Sequence, residues 1–503
     1  MADPELDRLP RVDPQAAQRL RSWFDGIGFS VAGLTELFAT DDPPIPSRFN
    51  LPAMLARMQD PTPRNVAARW FVAGQAVPRE VAALGVGPQS LADLQTLGLL
   101  REYRNDLVPT VMLIPFAEYF VASDLFQRLA GPSSFDYVLP INPTARHLWN
   151  FTIREPAESA LDLCTGCGVH ALGLADRCRR VIATDLNARA VAIAQFNAAF
   201  NGFENVDCRS GDGMQPVRGE TFEHIVCNPP FVLSPRKEFL YRDNDQVLDG
   251  FCRQLVEQAP AFLRSGGYFQ MIFEWVETSD ATAADRLQHW VEHSGCDALV
   301  LRANLYRPET YAEQRVHEML EETGDAGRIE QEIARWIDFY REAGVRAIHG
   351  GLLALRKRAG ANWFHFQEKI ATALIPYGDL VGQSFRNRDF LEAVQDSERL
   401  GTARLIVGDH VELLQKHRIQ AGRWSATESV IQATRGWLPP FTFDPDGAQI
   451  LAQFDGEHTV DELTAALADR KGLAPQRLIA DFQQVVRQLL EMCVLRPAAA
   501  PAD

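Results

Sequence analysis

A glycine-containing loop between a short apolar strand and a helix constrains the fold of this chain more strongly than any other feature. Residues 160–164 are apolar enough for a buried strand, and a helical pattern over 169–176 follows a few residues later. Gly166 and Gly168 lie between them, and glycine permits both a sharp turn and the close approach of a ligand to the backbone. This strand–loop–helix unit predicts a sheet whose strands alternate with helices.

The alternation of strands and helices continues from about residue 135 to residue 370. Such a pattern is typical of a parallel, doubly wound α/β sheet of the Rossmann type, which binds ligands at the carboxyl ends of its strands. Strands are predicted at 160–164, 181–184, 206–209, 224–227, 267–273, 298–302 and 351–356, and helices at 169–176, 188–201, 250–262 and 329–343.

The regions on either side of residues 131–372, which hold the predicted sheet, have different patterns. Residues 1–130 show helical apolar spacing and then two strand-like runs, which predicts a mostly helical, winged-helix-like domain for substrate recognition or for packing. Residues 373–503 combine short strands with amphipathic helices and predict an α+β, winged-helix-like domain for recognition or dimerisation. Within it, Thr459 and Glu462 have the spacing of a capping box at the start of a helix.

The composition favours a cytoplasmic protein that binds neither a membrane nor a metal. Residues 1–5 are acidic and lack a signal pattern, and no apolar run approaches the length of about 20 residues that a membrane helix needs. The eight cysteines are scattered, and Cys164 and Cys167 lack the two further ligands of a zinc site, so they are predicted to be small loop residues. A net charge of −16 disfavours a nucleic-acid partner, because phosphate binding needs clustered basic residues.

Acidic residues at the ends of successive predicted strands indicate a nucleoside cofactor. Asp162 opens the glycine loop, which lacks the third glycine of a dinucleotide fingerprint and therefore suits a cofactor without phosphate. Asp185 closes the next strand, where a carboxylate can accept hydrogen bonds from ribose hydroxyls, and Asp212 follows the third strand, where it can accept from an adenine amine. S-adenosylmethionine fits better than NAD, although another nucleotide-binding sheet remains the alternative. The predicted contacts are Asp162, Cys164, Thr165, Gly166, Gly168, Asp185, Leu186, Asn187, Asp212, Gly213 and Asn228.

The sequence Asn228-Pro229-Pro230-Phe231, after the fourth predicted strand, points to methyl transfer onto a planar nitrogen. The Asn228 side-chain oxygen and the Pro229 carbonyl can each accept one N–H and so position a weakly nucleophilic amide or aromatic amine. Pro230 stiffens the turn, and Phe231 can stack on the planar group. The alternative is an ordinary Asn-Pro turn.

These motifs together resemble those of class I S-adenosylmethionine-dependent methyltransferases of the Asn-Pro-Pro-aromatic type. That group includes release-factor glutamine N-methyltransferases and RNA or DNA amino methyltransferases. The resemblance covers residues from about 138 to 275 and implies a Rossmann-like methyltransferase sheet, S-adenosylmethionine as cofactor and transfer to nitrogen. It also makes Thr144 a cofactor contact, because comparable segments before the first strand cover the cofactor.

Two further groups of residues are predicted to bind the acceptor. Arg236 and Tyr241 lie in a mixed charged and aromatic segment after the motif, and a solvated loop is the alternative. Glu274 and Trp275 are predicted to end the fifth strand, at the sheet edge that binds ligands.

The C-terminal region loosely resembles the peptide-binding winged helix called the RiPP recognition element, which captures leader peptides for modifying enzymes. Together with the acidic charge, this favours a peptide, protein or natural-product acceptor over an RNA or DNA base. For the C-terminal region, the alternative is a module that forms a homodimer. For the whole chain, a further alternative is a non-catalytic protein that binds the cofactor. The residues that carry the resemblance are Ile450, Leu451, Phe454, Asp455, Gly456, Thr459, Val460, Glu462 and Leu463, followed by Leu489, Leu490, Val494 and Leu495.

Overall fold

The computed structural model describes residues 8–40, 50–130, 135–236, 238–244, 246–323, 328–368, 375–395 and 397–498. The acidic residues 1–5 lie outside this part of the chain. The structure divides into two compact units, one ending at Phe366 and one beginning at Gln367, and Asn150–Glu155 belongs to the second. The domain boundary predicted at residues 130/131 therefore falls inside the first unit. No helix in the described part of the chain has the length and apolar character needed to span a membrane.

The N-terminal part of the first unit is mostly helical. Asp13, Ser30 and Thr62 cap three of its helices by accepting a backbone N–H through the side chain. Its first three strands form an antiparallel sheet in the order β1-β3-β2, and the next two strands form a hairpin. The elements are α1 Pro14–Gly26, α2 Val31–Phe38, α3 Leu51–Arg57, α4 Pro63–Phe71, β1 Val77–Pro78, α5 Arg79–Gly85, α6 Pro88–Thr96, β2 Leu100–Tyr103, β3 Asp106–Pro109, β4 Met112–Phe116 and β5 Tyr119–Ser123.

The rest of the first unit is built around one eight-stranded sheet in the order β13-β11-β12-β10-β9-β6-β7-β8. Strand β6 is the third of the five parallel strands, with β7 and β8 on one side and β9 and β10 on the other, and this reversal of strand order creates a crevice between the carboxyl ends of β6 and β9. The elements are α7 Pro143–Phe151, β6 Ala157–Leu163, α8 Val169–Ala175, β7 Cys178–Asp185, α9 Ala188–Phe200, β8 Val206–Ser210, β9 Phe222–Cys227, α10 Gly250–Phe262, β10 Leu263–Thr278, α11 Ala283–Val291, β11 Cys296–Tyr306, α12 Pro308–Thr323, α13 Ile329–Glu342, β12 Val345–Lys357 and β13 Phe364–Gln367.

The sheet is mixed, which corrects the prediction that it is parallel throughout. Strands β6 to β10 pair in parallel, but β12 runs antiparallel to both β10 and β11. In chain order β11 follows β10 but does not pair with it. After α12 and α13, strand β12 lies between β10 and β11 and runs antiparallel to both. The Rossmann-like alternation of strands and helices is otherwise as predicted.

The hairpin β4–β5 is attached to α9 through Asn197 of the helix and Asn201, which caps its C-terminus. The Asn201 amide accepts from Phe120 N at 2.9 Å and donates to Phe120 O at 2.7 Å, and Asn197 bonds the backbone of Ala122 in the same way at 2.8 and 2.9 Å. Each side-chain amide thus makes the two hydrogen bonds to one residue of β5 that a neighbouring strand would otherwise make. The N–H and C=O groups of that residue are costly to leave unpaired.

A buried ion-pair cluster follows this hairpin and fixes α9 more firmly. The Asp124 carboxylate is fully buried, accepts from Arg189 Nε at 2.9 Å and lies 3.3 Å from a nitrogen of the buried Arg128. Asp124 also exchanges backbone and side-chain hydrogen bonds with Val138. The segment that precedes α7 is therefore anchored to the start of α9.

The second unit contains two further three-stranded antiparallel sheets, in the orders β18-β14-β19 and β15-β16-β17. Thr459 and Glu462 form the predicted capping box at the start of α17. The long hairpin of β15 and β16 was not predicted as a whole, because only its end at 429–433 had a strand pattern. The elements are α14 Gly378–Ala393, α15 Ser397–Gly401, β14 Arg404–Val407, β15 Val411–Gln420, β16 Arg423–Ala433, β17 Phe441–Phe443, α16 Pro445–Leu451, β18 Asp455–Thr459, α17 Val460–Lys471, α18 Ile479–Glu491 and β19 Leu495–Pro497.

Candidate active site

A cavity of about 580 Å³ lies at the carboxyl ends of the parallel strands of the first unit. The cavity wall is formed by residues 137–142, 163–167, 184–187, 211–215 and 240–241, by Asp243 and Asn244, by Asn228 and Pro230, and by one face of α10. Among the described residues, no group of three or more His, Cys, Asp or Glu side chains is arranged to hold a metal ion there or elsewhere.

The glycine loop is held from behind by Asp162. This carboxylate is fully buried and accepts hydrogen bonds from the Thr165 hydroxyl and from Ala171 N, and burial raises its pKa to about 7. Gly168 has a φ of +81°, and a Cβ there would lie 2.9 Å from the Cβ of Ala194 on α9. Asp162 and Gly168 therefore shape the loop but do not line the cavity, whereas Cys164, Thr165 and Gly166 do.

Asp185 joins the glycine loop to the end of β7 and faces the cavity. Its carboxylate accepts from Gly166 N at 2.8 Å and from Asn187 N at 2.9 Å. Burial raises the pKa of Asp185, and the backbone hydrogen bonds from Asn187, Gly166 and Leu186 oppose that rise. Leu186 is 55% exposed and offers an apolar surface to the same cavity.

The remaining predicted cofactor residues differ in their placement. Asp212 and Gly213 line the cavity beyond the end of β8, and so does Asn187, whose amide also donates to Asp136 O at 2.8 Å. Thr144 does not line it, because its hydroxyl donates to Asn142 Oδ1 at 2.8 Å at the start of α7. Asn142 itself is part of the wall.

Asn228 and Pro230 place the Asn-Pro-Pro-Phe motif in the wall of the same cavity. The Pro230 carbonyl accepts a hydrogen bond from Asn244 Nδ2 at 2.8 Å, which fixes the turn. Phe231 packs against the core cluster beneath the sheet end and, like Pro229, does not line the cavity. Tyr241, also predicted to bind the acceptor, does line the cavity and packs against Tyr137 with ring centroids 5.9 Å apart.

Glu274, Trp275 and Arg236 lie away from the cavity, which corrects their predicted place in an acceptor pocket. Strand β10 does not end at residue 275 but continues to Thr278, paired with β12 along its length. Trp275 is therefore fully buried, stacked on Phe273 at 4.8 Å. Arg236 instead pairs with Glu238 and Glu332, at 3.6 and 3.2 Å.

Glu274 belongs to a buried network that holds the segment after the motif. Its carboxylate accepts from the Tyr311 hydroxyl and pairs with Arg315 at 2.5 Å. The Tyr311 oxygen in turn accepts from Leu233 N at 3.3 Å, and the Tyr340 hydroxyl donates to Leu233 O at 2.7 Å. Helices α12 and α13 thus hold Leu233, which follows Phe231 by two residues.

Substituting Tyr311→Phe removes the hydroxyl that joins Glu274 to Leu233 N. We expect faster hydrogen–deuterium exchange over residues 228–244 and a roughly tenfold loss of methyl transfer, because small misplacement of reacting groups is costly. Cofactor affinity stays unchanged, since Tyr311 does not line the cavity. Tyr306→Phe is the matched control, because its ring packs on Tyr311 at 5.7 Å without joining this network. Equal exchange in both variants would contradict the role of the network.

Several wall residues escaped the sequence analysis. Gln254 and Gln258 lie one turn apart on α10 and face the cavity together with Phe251. Their signal was a pair of polar residues within the apolar face of a helix, which is also common on helices without a ligand. No sequence pattern marked Asn244 as a wall residue, because its hydrogen bond to the Pro230 carbonyl is known only from the fold.

The middle of the chain matches a known family. The family model described as methyltransferase small domain matches residues 141–288, which contain the glycine loop, Asp185 and the Asn-Pro-Pro-Phe motif. Residues 141–288 form a methyltransferase domain. S-adenosylmethionine is its methyl donor.

Several methyltransferases match part of the chain. A release factor glutamine methyltransferase from Xylella fastidiosa is 37% identical over 128 residues, which are 23% of this chain and 46% of that protein. A ribosomal protein uL3 glutamine methyltransferase from Bordetella pertussis is 31% identical over 130 residues, 23% of this chain and 44% of that protein. The chain thus spans about half the length of the curated relatives it matches. A solved methyltransferase from Pyrococcus furiosus aligns with 18% identity and a TM-score of 0.27, over 44% of this chain and 85% of that one.

Proposed function

We propose that this protein transfers a methyl group from S-adenosylmethionine to a side-chain amide nitrogen of a protein or peptide. The observation that carries the proposal is that Asn228, Pro230 and Asp185 line one cavity. An acceptor held at Asn228 and a nucleoside held at Asp185 would then meet in the same space. Proximity of this kind supplies much of the rate when the donor is already activated.

The residues present fit the cofactor. Asp185 can accept the ribose hydroxyls with the carboxylate lone pairs that Gly166 N and Asn187 N leave free. Asp212 and Gly213 would hold the adenine edge, and Leu186 would pack against its face. When bound, the cofactor supplies a methyl group on a sulfonium, which needs no further activation.

Asn228 would position the acceptor nitrogen. Its side-chain oxygen would accept one N–H of the amide and so hold the nitrogen beside the methyl group. The Pro229 carbonyl, predicted to accept the other N–H, belongs to a residue that does not line the cavity. Asn244 would support this geometry by holding the Pro230 carbonyl at 2.8 Å. Tyr241, which also lines the cavity, would stack on the planar amide.

A protein or peptide acceptor is favoured by the relatives and by charge. The relatives described above are named for glutamine methylation of a release factor and of a ribosomal protein. The net charge of −16 disfavours binding to a nucleic acid.

All eight cysteines are free thiols, which suits a reducing compartment such as the cytoplasm.

The two end regions would select the acceptor. The order α4-β1-α5-α6-β2-β3 with the sheet β1-β3-β2 is the connectivity of a winged helix and supports that proposal for the N-terminal part. In the second unit, the capped helix α17 and the exposed Leu414, Ile419 and Trp424 of the β15–β16 hairpin support capture of a peptide. Light scattering distinguishes peptide capture from dimerisation. A dimer that dissociates into monomers when these three residues are replaced would favour dimerisation.

The function is tested with cofactor labelled in its methyl group and a cell extract separated into protein, peptide and RNA. We expect label in protein or peptide that resists nuclease and is released as methylamine on acid hydrolysis, as an N-methylamide requires. Label that nuclease removes would instead indicate methylation of a nucleic-acid base. Tight cofactor binding without transfer to any fraction would indicate a binding protein.

Substituting Asp185→Ala is expected to weaken binding of S-adenosylmethionine by roughly 10- to 100-fold, the cost of about one hydrogen bond to a charged group. Calorimetry measures this affinity. Asp207→Ala, on the neighbouring strand and half-exposed, is the matched control and leaves the affinity unchanged. A 2′-deoxy analogue of the cofactor distinguishes a lost ribose contact from a disrupted loop. If Asp185 contacts the ribose, the wild type binds the analogue more weakly than S-adenosylmethionine, whereas the Asp185→Ala variant binds the two with equal affinity.

A further inference from the structure

Cys164 occupies an unusual backbone position in the glycine loop. Its φ is +59°, in the left-handed region that residues with a side chain adopt at a cost of about 1–2 kcal/mol. The side chain is half-buried and lines the cavity. A strained, non-glycine residue at such a place suggests that the side chain itself has a use.

Cys227 lies directly beside Cys164, on the neighbouring strand. It is the last residue of β9, immediately before Asn228, and it pairs with Leu163 across the parallel strands β6 and β9. Neighbouring strands lie about 4.8 Å apart, so Cys227 faces Leu163 at about that distance, and Cys164 is the next residue along the chain. Disulfides join Cα atoms separated by about 4.4–6.8 Å.

Cys164 packs against the core cluster that contains Cys227. Burial, together with the neighbouring Cys164 side chain, raises the pKa of Cys227 well above its usual range, so Cys227 is not itself exposed to attack as a thiolate. Cys164, on the cavity wall, is the partner that a small reagent can reach.

The other cysteines do not offer an equivalent pair at the surface. Of the eight, only Cys164 and Cys208 are half-buried, and the rest are buried. Cys208 lies on β8, which β6 and β7 separate from β9 in the sheet. Oxidation that begins from the solvent side is therefore directed to Cys164 or Cys208, and only Cys164 has Cys227 within reach.

We propose that Cys164 and Cys227 form an oxidative modification site, in which a disulfide links the glycine loop to the residue before Asn228. A small hydroperoxide is the oxidant. The Cys164 sulfur attacks one peroxide oxygen and becomes a sulfenic acid, and the other oxygen leaves as water or alcohol. The Cys227 sulfur then attacks the Cys164 sulfur, its proton joins the departing hydroxide as water, and the S–S bond forms. The two thiols supply both electrons.

Forming this bond brings the two sulfurs to about 2.05 Å, well inside the separation of two sulfurs that are not bonded to each other. The loop at Cys164 and the start of the motif must both shift, although the proposed methyl transfer depends on their placement. We therefore expect oxidation to reduce transfer at least tenfold and dithiothreitol to restore it. A ligand in the cavity, such as S-adenosylhomocysteine, shields Cys164 and slows the oxidation at least tenfold.

The site is tested on the folded full-length protein, treated with hydrogen peroxide and then alkylated and digested with trypsin. The expected product joins the tryptic peptides 155–177 and 219–236, the second of which contains Cys227 as its single cysteine. It forms in the wild type and in the matched control Cys208→Ser but not in Cys164→Ser or Cys227→Ser. Because Cys167 shares the first peptide, the Cys164→Ser result assigns the bond.

This readout does not depend on methyl transfer, so it stands even if the proposed function fails. Conversion of Cys164 to sulfinic acid without the linked peptide would overturn the proposal. So would a linked peptide that persists in Cys164→Ser, or one that forms only after unfolding. A linked peptide without any change in transfer would overturn the expected effect on activity while leaving the modification site in place.

Discussion

The Asn228→Ala variant is expected to lose at least about a hundredfold in methyl transfer while it binds S-adenosylmethionine as tightly as the wild type. Asn228 lines the cavity, and removing its side-chain oxygen leaves the acceptor nitrogen free to rotate away from the methyl group. Misplacement of a reacting atom by about 1 Å can cost a hundredfold in rate. Single-turnover kinetics with labelled cofactor, combined with calorimetry, separates the two quantities.

Asn105→Ala is the matched control for this prediction, because it makes the same chemical change at an exposed turn outside the cavity. It should retain full transfer. If Asn228→Ala lost cofactor affinity and transfer in equal proportion, its role would be in cofactor binding rather than in positioning the acceptor. Unchanged transfer would remove Asn228 from the mechanism.

The Asp124→Ala variant is expected to destabilise the first unit by about 3–5 kcal/mol, the usual cost of removing one partner from a buried ion pair. The guanidinium groups of Arg189 and Arg128 would remain buried without the carboxylate that they share. Because the chain has two compact units, the change should appear in one unfolding transition and leave the other in place. Denaturant unfolding followed by hydrogen exchange in α9 measures it.

Glu158→Ala provides the comparison, since Glu158 pairs with Arg179 at 3.2 Å and both side chains are mostly exposed. Exposed pairs contribute between about 0 and 1 kcal/mol, so this variant should unfold almost as the wild type does. Similar losses in the two variants would mean that the cluster around Asp124 contributes no more than a surface pair.

The methyltransferase sheet was predictable because its pattern is local. The apolar strand before the glycine loop, Asp185 at the end of the next strand and the helix that follows each appear as a short run of residues. Parallel strands place their carboxyl ends on one edge of the sheet, so these runs were expected to meet. The structure brings Cys164, Gly166, Asp185, Asp212 and Asn228 to one cavity, as that reasoning requires.

The acceptor side was less predictable because its contacts are distant in sequence. Glu274 was expected at a strand end, but the return of β12 beside β10 places it in the interior against Tyr311. Nothing in the run around Glu274 indicates that residues 345–357 will pair there. The same holds for Asn244, whose bond to Pro230 spans a segment without regular structure.

The sequence by itself determined the alternation of strands and helices and the order of the strand ends that carry the glycine loop, Asp185 and the Asn-Pro-Pro-Phe motif. These follow from local periodicity and from glycine and proline geometry. Only the tertiary structure decided that the sheet is mixed, which side chains face the cavity, that Glu274 supports the motif through Tyr311, and that Cys164 packs in the cluster that holds Cys227. The direction of a late strand and the contacts of a loop depend on packing between distant segments, which local pattern does not specify.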